Sequence, residues 1–116
     1  MIICNFTKNE YLQIVYLNDN DNIDSNIIQF KISTKELVNI ESFIEKGIKR
    51  IENCFDHNKD LYDVDVIVEG QYCMCLYHAN QKAVLIIKGE TIKLHFSLLS
   101  FLKKEINKLF NTTYLF

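Results

Sequence analysis

Three residues that could bind a metal ion lie close together in the sequence. Cys73, Cys75 and His78 form a Cys-x-Cys-x-x-His pattern. Zinc sites usually place two cysteines in a turn, where both thiolates reach one ion. Residues 72–78 instead read as a strand, which directs His78 to the face opposite the cysteines. No second ligand pair is found in the sequence. We therefore predict no bound metal and no cofactor, and we interpret the cysteines as small apolar packing residues.

A thiol–imidazole pair for nucleophilic catalysis could be drawn from any of the four cysteines and three histidines. The spacing selects no pair, because His57 falls in a polar linker and His95 on the outer face of a strand. The sequence contains no nucleophile elbow and no glycine-rich phosphate loop. We predict that the protein is not an enzyme. A small enzyme or ligand-binding domain that uses these cysteines and histidines is the alternative.

Acidic residues are concentrated in the middle of the chain. Residues 56–70 contain five acidic residues and one basic residue, whereas residues 71–116 contain two acidic and six basic residues. An acidic surface attracts a basic protein and can occupy its phosphate-binding groove. It can also serve only to keep a sheet face solvated. We predict a basic protein partner, bound by Asp56, Asp60, Tyr62, Asp63, Asp65, Glu69 and Tyr72, with the two tyrosines as anchors.

Length and composition limit the classes of protein that this chain can belong to. It has 116 residues, 48% of them hydrophobic, with 13 basic and 15 acidic residues and no proline. This length suits one domain, 1–116, with a core that needs no disulfide. We find no secretory signal and no apolar run near the ~20 residues that span a bilayer. We therefore expect a cytoplasmic protein without a membrane partner. The acidic segments and the single arginine argue against direct nucleic-acid binding.

The first half of the sequence predicts three strands followed by one helix. Residues 2–6, 11–17 and 27–32 are apolar runs between polar connections, which is typical of strands. Residues 33–36 (Ser-Thr-Lys-Glu) fit the capping box, in which a hydroxyl and a carboxylate bind free amides at a helix start. Apolar residues then recur at spacings of three and four as far as Phe55, which predicts a helix with one face on the core.

The second half predicts four strands and a second helix. The strands span 62–69, 72–78, 83–88 and 91–96, with polar joins suited to hairpin turns, and a helix capped by Ser97 spans 98–110. In the first of these strands Val64, Val66 and Val68 share one face, and Asp63, Asp65 and Glu69 share the other. We expect the acidic face to be exposed. The fold class is thus α+β, an antiparallel meander in the order β-β-β-α-β-β-β-β-α with two helices packed on the sheet.

The passage from strand to helix provides a resemblance to a known class of proteins. Ile32-Ser-Thr-Lys-Glu-Leu leads into an amphipathic helix that contains Phe43-Ile44-Glu45. This layout, over residues 27–69, resembles the small immunity proteins with which bacteria neutralise the toxin domains of competitors. The resemblance implies a single-domain, non-catalytic inhibitor that binds its cognate toxin, often a nuclease or another basic enzyme. A phage-encoded inhibitor of a host nuclease, of the anti-CRISPR type, is the alternative within the same class.

Overall fold

The computed structural model describes residues 2–6, 11–17, 25–56 and 64–114. Its elements are β1 (Ile2–Phe6), β2 (Tyr11–Leu17), β3 (Ser25–Lys31), α1 (Thr34–Asp56), β4 (Val64–Glu69), β5 (Tyr72–Tyr77), β6 (Lys82–Ile87), β7 (Glu90–His95) and α2 (Phe96–Tyr114). The predicted α+β class and the element order are confirmed. The strands form two antiparallel sheets, β1-β2-β3 and β4-β5-β6-β7, where the sequence suggested one.

The two sheets meet side by side, and the helices cover only one face of the second sheet. Strand β3 lies beside β7, α1 packs on β4 and β5, and α2 packs on β1, β6 and β7. Alternate residues of each strand enter one core, which the helices complete with Leu37, Ile40, Phe43, Ile44, Leu99, Leu102 and Ile106. Because no described element packs on the other face of β4-β5-β6-β7, that face is open to solvent.

The start of α1 is fixed by the predicted capping box. The amide of Glu36 donates to Ser33 Oγ at 3.3 Å, and the amide of Ser33 donates to Glu36 Oε1 at 3.2 Å. The Glu36 carboxylate also accepts hydrogen bonds from Lys88 and Tyr72, so it joins α1 to the second sheet. Burial alone would raise the pKa of Glu36, but the hydrogen bonds and the charge of Lys88 lower it overall.

We expect Glu36→Gln to lower the free energy of unfolding at pH 7 by about 1 kcal/mol, because glutamine keeps the oxygen acceptor of the capping box but removes the charge that strengthens the hydrogen bond from Lys88. Because the pKa of Glu36 is lowered by folding, its contribution is complete above the pKa of the unfolded chain and is lost as the pH falls through the folded-state pKa. Urea unfolding at a series of pH values measures this. A difference from wild type that does not shrink in acid would contradict the assignment.

Helix α2 begins two residues before the predicted start, at Phe96. The cap is His95 and not Ser97, because His95 Nδ1 accepts a hydrogen bond from the Ser97 amide at 3.1 Å. The Ser97 hydroxyl lies 2.9 Å from the same nitrogen. Because His95 is both the last residue of β7 and the cap of α2, the helix follows the strand without a connecting loop. The helix also continues to Tyr114, past the predicted end.

Gly47 sits inside α1 because a side chain of β5 occupies the space beside it. A Cβ atom at this position would lie 2.8 Å from Met74 Cε and closer still to its Sδ. Met74 is fully buried, so its side chain has little room to move away. The close approach in the middle of α1 is thus made by a side chain of β5.

We expect the effect of Gly47→Ala to change sign with the residue at position 74. In the wild-type chain the added methyl group overlaps Met74, and overpacking of this kind costs about 1–3 kcal/mol. In a Met74→Ala background the overlap is gone, and the better helix propensity of alanine should stabilise the fold by up to ~1 kcal/mol. Urea unfolding of the double-mutant cycle measures this coupling. Equal effects in both backgrounds would contradict the packing described.

Candidate functional site

The open face of the second sheet is largely aliphatic. The strand register places Val68, Cys73 and Ile86 in one row, Val66, Cys75 and Val84 in the next, and Val64, Tyr77 and Lys82 in the third. We call the eight apolar residues of this surface the open valine face: Val64, Val66, Val68, Cys73, Cys75, Tyr77, Val84 and Ile86. Its margin at β7 is polar, with Thr91, Lys93 and His95 completing the three rows.

The valines of β4 are the most exposed part of this face. Val64, Val66 and Val68 are 49%, 54% and 69% exposed, and Tyr77 and Ile86 are both above one third. Together these five side chains present on the order of 400 Å² to solvent, which is as large as the biggest apolar patch of a typical monomer. Because the largest apolar patch of a monomer is often functional, this face is the candidate site of protein contact.

The outer face of the first sheet shows that this apolar surface is not a general property of the chain. Its central row consists of Asn5, Gln13 and Gln29, which are polar and at least partly exposed. In the next row Ile27, at 60% exposure, lies beside the half-buried Val15. The polar row interrupts the apolar surface of the first sheet, whereas the rows of the open valine face follow one another without such a break.

Strand β4 exposes the opposite face to solvent from the one that the sequence predicted. The acidic residues were expected on an exposed face, but Asp65 and Glu69 lie with Ile67 on the helix side, and the valines face solvent. On that side Ile67 packs against the core and Asp65 meets buried His78, while α1 presents Lys46 to Glu69 and Arg50 to Asp65. These cations are one helical turn apart, about 6 Å, and their partners are about 13 Å apart along the strand. The two ion pairs therefore form only because their side chains are long enough to make up the difference between the spacing on the helix and the spacing on the strand.

Asp65 also satisfies a buried histidine. His78 is 5% exposed, and its Nε2 lies 2.8 Å from Asp65 Oδ2. The other side of the imidazole meets the Phe96 ring edge-on, with ring centroids 5.5 Å apart. Arg50 Nη1 lies 3.5 Å from the second carboxylate oxygen of Asp65. The Asp65 carboxylate is therefore a structural link between β4, the end of β5 and α1.

Tyr72 likewise faces the helices. Its ring packs against Phe43 at a centroid distance of 5.6 Å, and its hydroxyl donates to Glu36 Oε2 at 3.4 Å. Burial raises the pKa of Tyr72, and the charge of Glu36 raises it further. This hydroxyl therefore stays protonated and serves as a hydrogen-bond donor inside the fold.

The seven predicted partner-binding residues fall into two groups in the structure. Asp65, Glu69 and Tyr72 all contact α1 or its first turn, so their polar groups already have partners within the fold. Asp60, Tyr62, Asp63 and the side chain of Asp56 lie outside the described residues. The role of all seven in partner binding stays a prediction.

In the described part of the chain, the thiols of Cys73 and Cys75 do not converge with the imidazole of His78. Cys73 and Cys75 lie on the open valine face, whereas His78 is buried on the helix side, as its position in the strand predicted. Over the described ranges, no three His, Cys, Asp or Glu side chains are grouped closely enough to hold a metal ion. Burial raises the pKa of the Cys75 thiol, as does neighbouring Cys73, so a reactive thiolate is disfavoured. Burial also raises the pKa of Cys4, to about 12.

A shallow groove between α1 and α2 is a weaker candidate for a ligand site. Its two sections have volumes of about 310 and 360 Å³ and share Ile48, Glu52 and Ser100. Glu45 and Lys103 form an ion pair on its rim. No buried side-chain nitrogen or oxygen in the described part of the chain lacks a hydrogen-bond partner. The groove therefore offers no buried, unsatisfied polar side chain that would orient a ligand.

Comparison with known proteins does not assign the chain to a family. No protein-family model matches it, and no characterised protein matches it in sequence. In the described ranges, neither helix is long and apolar enough to cross a membrane.

Proposed function

We propose that this protein is a non-catalytic inhibitor that binds and neutralises a partner protein, and that the open valine face is its docking surface. The observation that supports this most strongly is the exposure of Val64, Val66 and Val68 in one contiguous aliphatic surface. Exposure of aliphatic side chains to water raises the free energy of the unbound chain. A docked partner that covers them gains about 25 cal/mol for each Å² of apolar surface buried, before the costs of association.

The expected partner is a toxin of the kind that immunity proteins neutralise. The proposed basic character of the toxin depends on Asp56, Asp60 and Asp63, because Asp65 and Glu69 already face cations of α1. Asp63 directly precedes Val64 in the chain. Acidic residues beside an aliphatic surface suit a partner that has an apolar centre and basic groups at one margin. The acids then increase the association rate, and the valines provide most of the affinity.

The test is coexpression of the full chain with the product of the neighbouring gene, followed by capture and an assay of the captured enzyme. We expect a stable complex in which the enzyme is inactive. A toxin gene next to this one supports an immunity protein, and phage genes support an inhibitor of a host nuclease. An enzyme that keeps its activity when saturated with the chain would contradict inhibition.

A further inference from the structure

We infer that the partner of this protein docks by adding a strand to the outer edge of β4, through an extended segment in which an acidic residue stands between two apolar residues. The inference rests on the proposed function for the existence of a protein partner, and it adds which kind of segment docks and by what chemistry. It follows from the hydrogen-bonding pattern of β4 and from a group of cations beside this strand.

The backbone of β4 points hydrogen-bonding groups away from the second sheet. The Lys88 amide donates to the Gln71 carbonyl at 3.4 Å. In an antiparallel ladder such a bond flanks a pair of residues that is not itself hydrogen-bonded, here Tyr72 with Ile87. The backbone groups of Tyr72 therefore point the other way, to Glu69 of β4.

The same alternation decides which groups of β4 lie at the edge. Successive residues of a strand direct their backbone groups to opposite sides, so Asp65 and Ile67 bond to β5 as Glu69 does. The amides and carbonyls of Val66 and Val68 point outward, where no other described strand lies. The register of β4 runs over six residues without a bulge or a proline, two features that commonly protect an edge. This edge can therefore accept a further strand.

A cavity beside β4 has room for one side chain of the added strand. Its volume is about 290 Å³, and it is lined by Ile67 of β4 and by Lys46, Lys49, Arg50 and Asn53 of α1. The four residues of α1 form one stripe along the helix, because they are three and four positions apart. In an added antiparallel strand, the residue opposite Ile67 has its side chain on the same face as Ile67 and so points towards this cavity.

The charge of this cavity favours an acidic side chain. Its lining includes three cations, and two of them are already paired with Asp65 and Glu69. The third, Lys49, is exposed and has no ion pair with another described residue. Glu45, one turn before it in α1, is paired with Lys103. A carboxylate in the cavity would therefore meet a positive charge that no ion pair compensates.

The neighbours of that acid lie on the other face of the added strand. They stand opposite Val66 and Val68, so apolar residues at these positions would extend the open valine face. The next positions stand opposite Asp65 and Glu69, where an acid would be repelled and an uncharged residue is expected. Backbone bonds then provide affinity, and the alternation of apolar and acidic side chains provides specificity.

Amide hydrogen exchange followed by NMR tests the inference. In the free chain, the Ile67 amide should exchange at least ~10-fold more slowly than the amides of Val66 and Val68, because it bonds to β5. The probe is the peptide acetyl-Thr-Val-Glu-Val-Thr-amide, which reads the same in both directions. At saturation we expect it to slow exchange at Val66 and Val68 at least ~10-fold. It should bind at least ~5-fold more tightly than the peptide with lysine in place of glutamate.

Three variants separate the charge of the cavity from the edge of the sheet. Lys49→Glu should reverse the preference, so that the lysine peptide binds more tightly than the glutamate peptide. Lys104→Glu is the matched control, because it makes the same change of charge at an exposed lysine of α2 and should leave the preference intact. Val66→Pro removes one outward amide without breaking a bond to β5, and should weaken the binding of both peptides.

Exchange at Val66 and Val68 that neither peptide nor toxin slows would overturn the inference. A toxin complex in which these two amides exchange as fast as in the free chain would overturn strand addition and leave the proposed function standing. Protection by the peptide, in a chain that captures no toxin, would contradict only the proposed function. A preference for the glutamate peptide that Lys49→Glu leaves unchanged would overturn the acidic residue of the segment.

Discussion

Val66→Asp is expected to weaken the complex with the proposed toxin about 100-fold, as loss of a central apolar contact does when a carboxylate must also be desolvated. Val66 is 54% exposed and lies in the middle row of the open valine face, between Val64 and Val68. The change should appear mainly in the dissociation rate, because the charges that steer association lie elsewhere. Surface plasmon resonance with immobilised toxin measures both rates.

The fold should tolerate this substitution. Val66 makes no contact with the helix side of the sheet, and an exposed strand position changes the free energy of unfolding by no more than ~1 kcal/mol. Ile27→Asp is the matched control, because Ile27 is also an aliphatic, β-branched residue on the outer face of a strand and is 60% exposed. If Ile27→Asp weakens binding as much as Val66→Asp, the open valine face is not the docking surface.

Asp65→Ala is expected to be strongly destabilising, by about 2–3 kcal/mol, because it leaves a buried imidazole without its hydrogen-bond partner. His78 is 5% exposed, and its Nε2 lies 2.8 Å from the Asp65 carboxylate. Urea unfolding measures the free energy, and a smaller midpoint with an unchanged slope would show a loss of stability without loss of compactness.

Asp65→Asn and Glu69→Gln separate this effect from the loss of negative charge. The side-chain amide introduced by Asp65→Asn would keep an oxygen acceptor for His78, so about half of the stability lost in Asp65→Ala should be recovered. Glu69 pairs with exposed Lys46, so Glu69→Gln should change stability by less than ~0.5 kcal/mol. If Asp65→Ala were as mild as Glu69→Gln, the link between Asp65 and His78 would not stabilise the fold.

Features that depend on neighbouring residues in the chain were predicted correctly. The capping box at Ser33 is one, since its donors and acceptors lie three residues apart. The hairpin turns are others: Gly70 and Gly89 adopt positive φ angles of 60° and 86°, which glycine permits without strain. Alternation and turn chemistry are local, and they sufficed for the element order and the fold class.

The orientation of β4 could not be predicted in the same way. Alternation of valine with acidic residues shows that the two faces differ, but not which face meets a helix. The face that meets the helix carries Ile67, which packs on the core, and its two acids reach Arg50 and Lys46 of α1 only in the folded chain. His78 adds a buried partner from the end of β5. Because these contacts join residues that are distant in sequence, the sequence analysis placed the candidate site on the acidic face, whereas the candidate site in the structure is the face of exposed valines.

The most direct test of docking through the open valine face is alkylation of its own cysteines by iodoacetamide, with and without toxin. Mass spectrometry reports Cys73 and Cys75, which lie at the centre of this face. We predict that saturating toxin slows their modification at least ~10-fold, because a docked protein excludes the reagent. An unchanged rate at both cysteines in a fully formed complex would contradict the account.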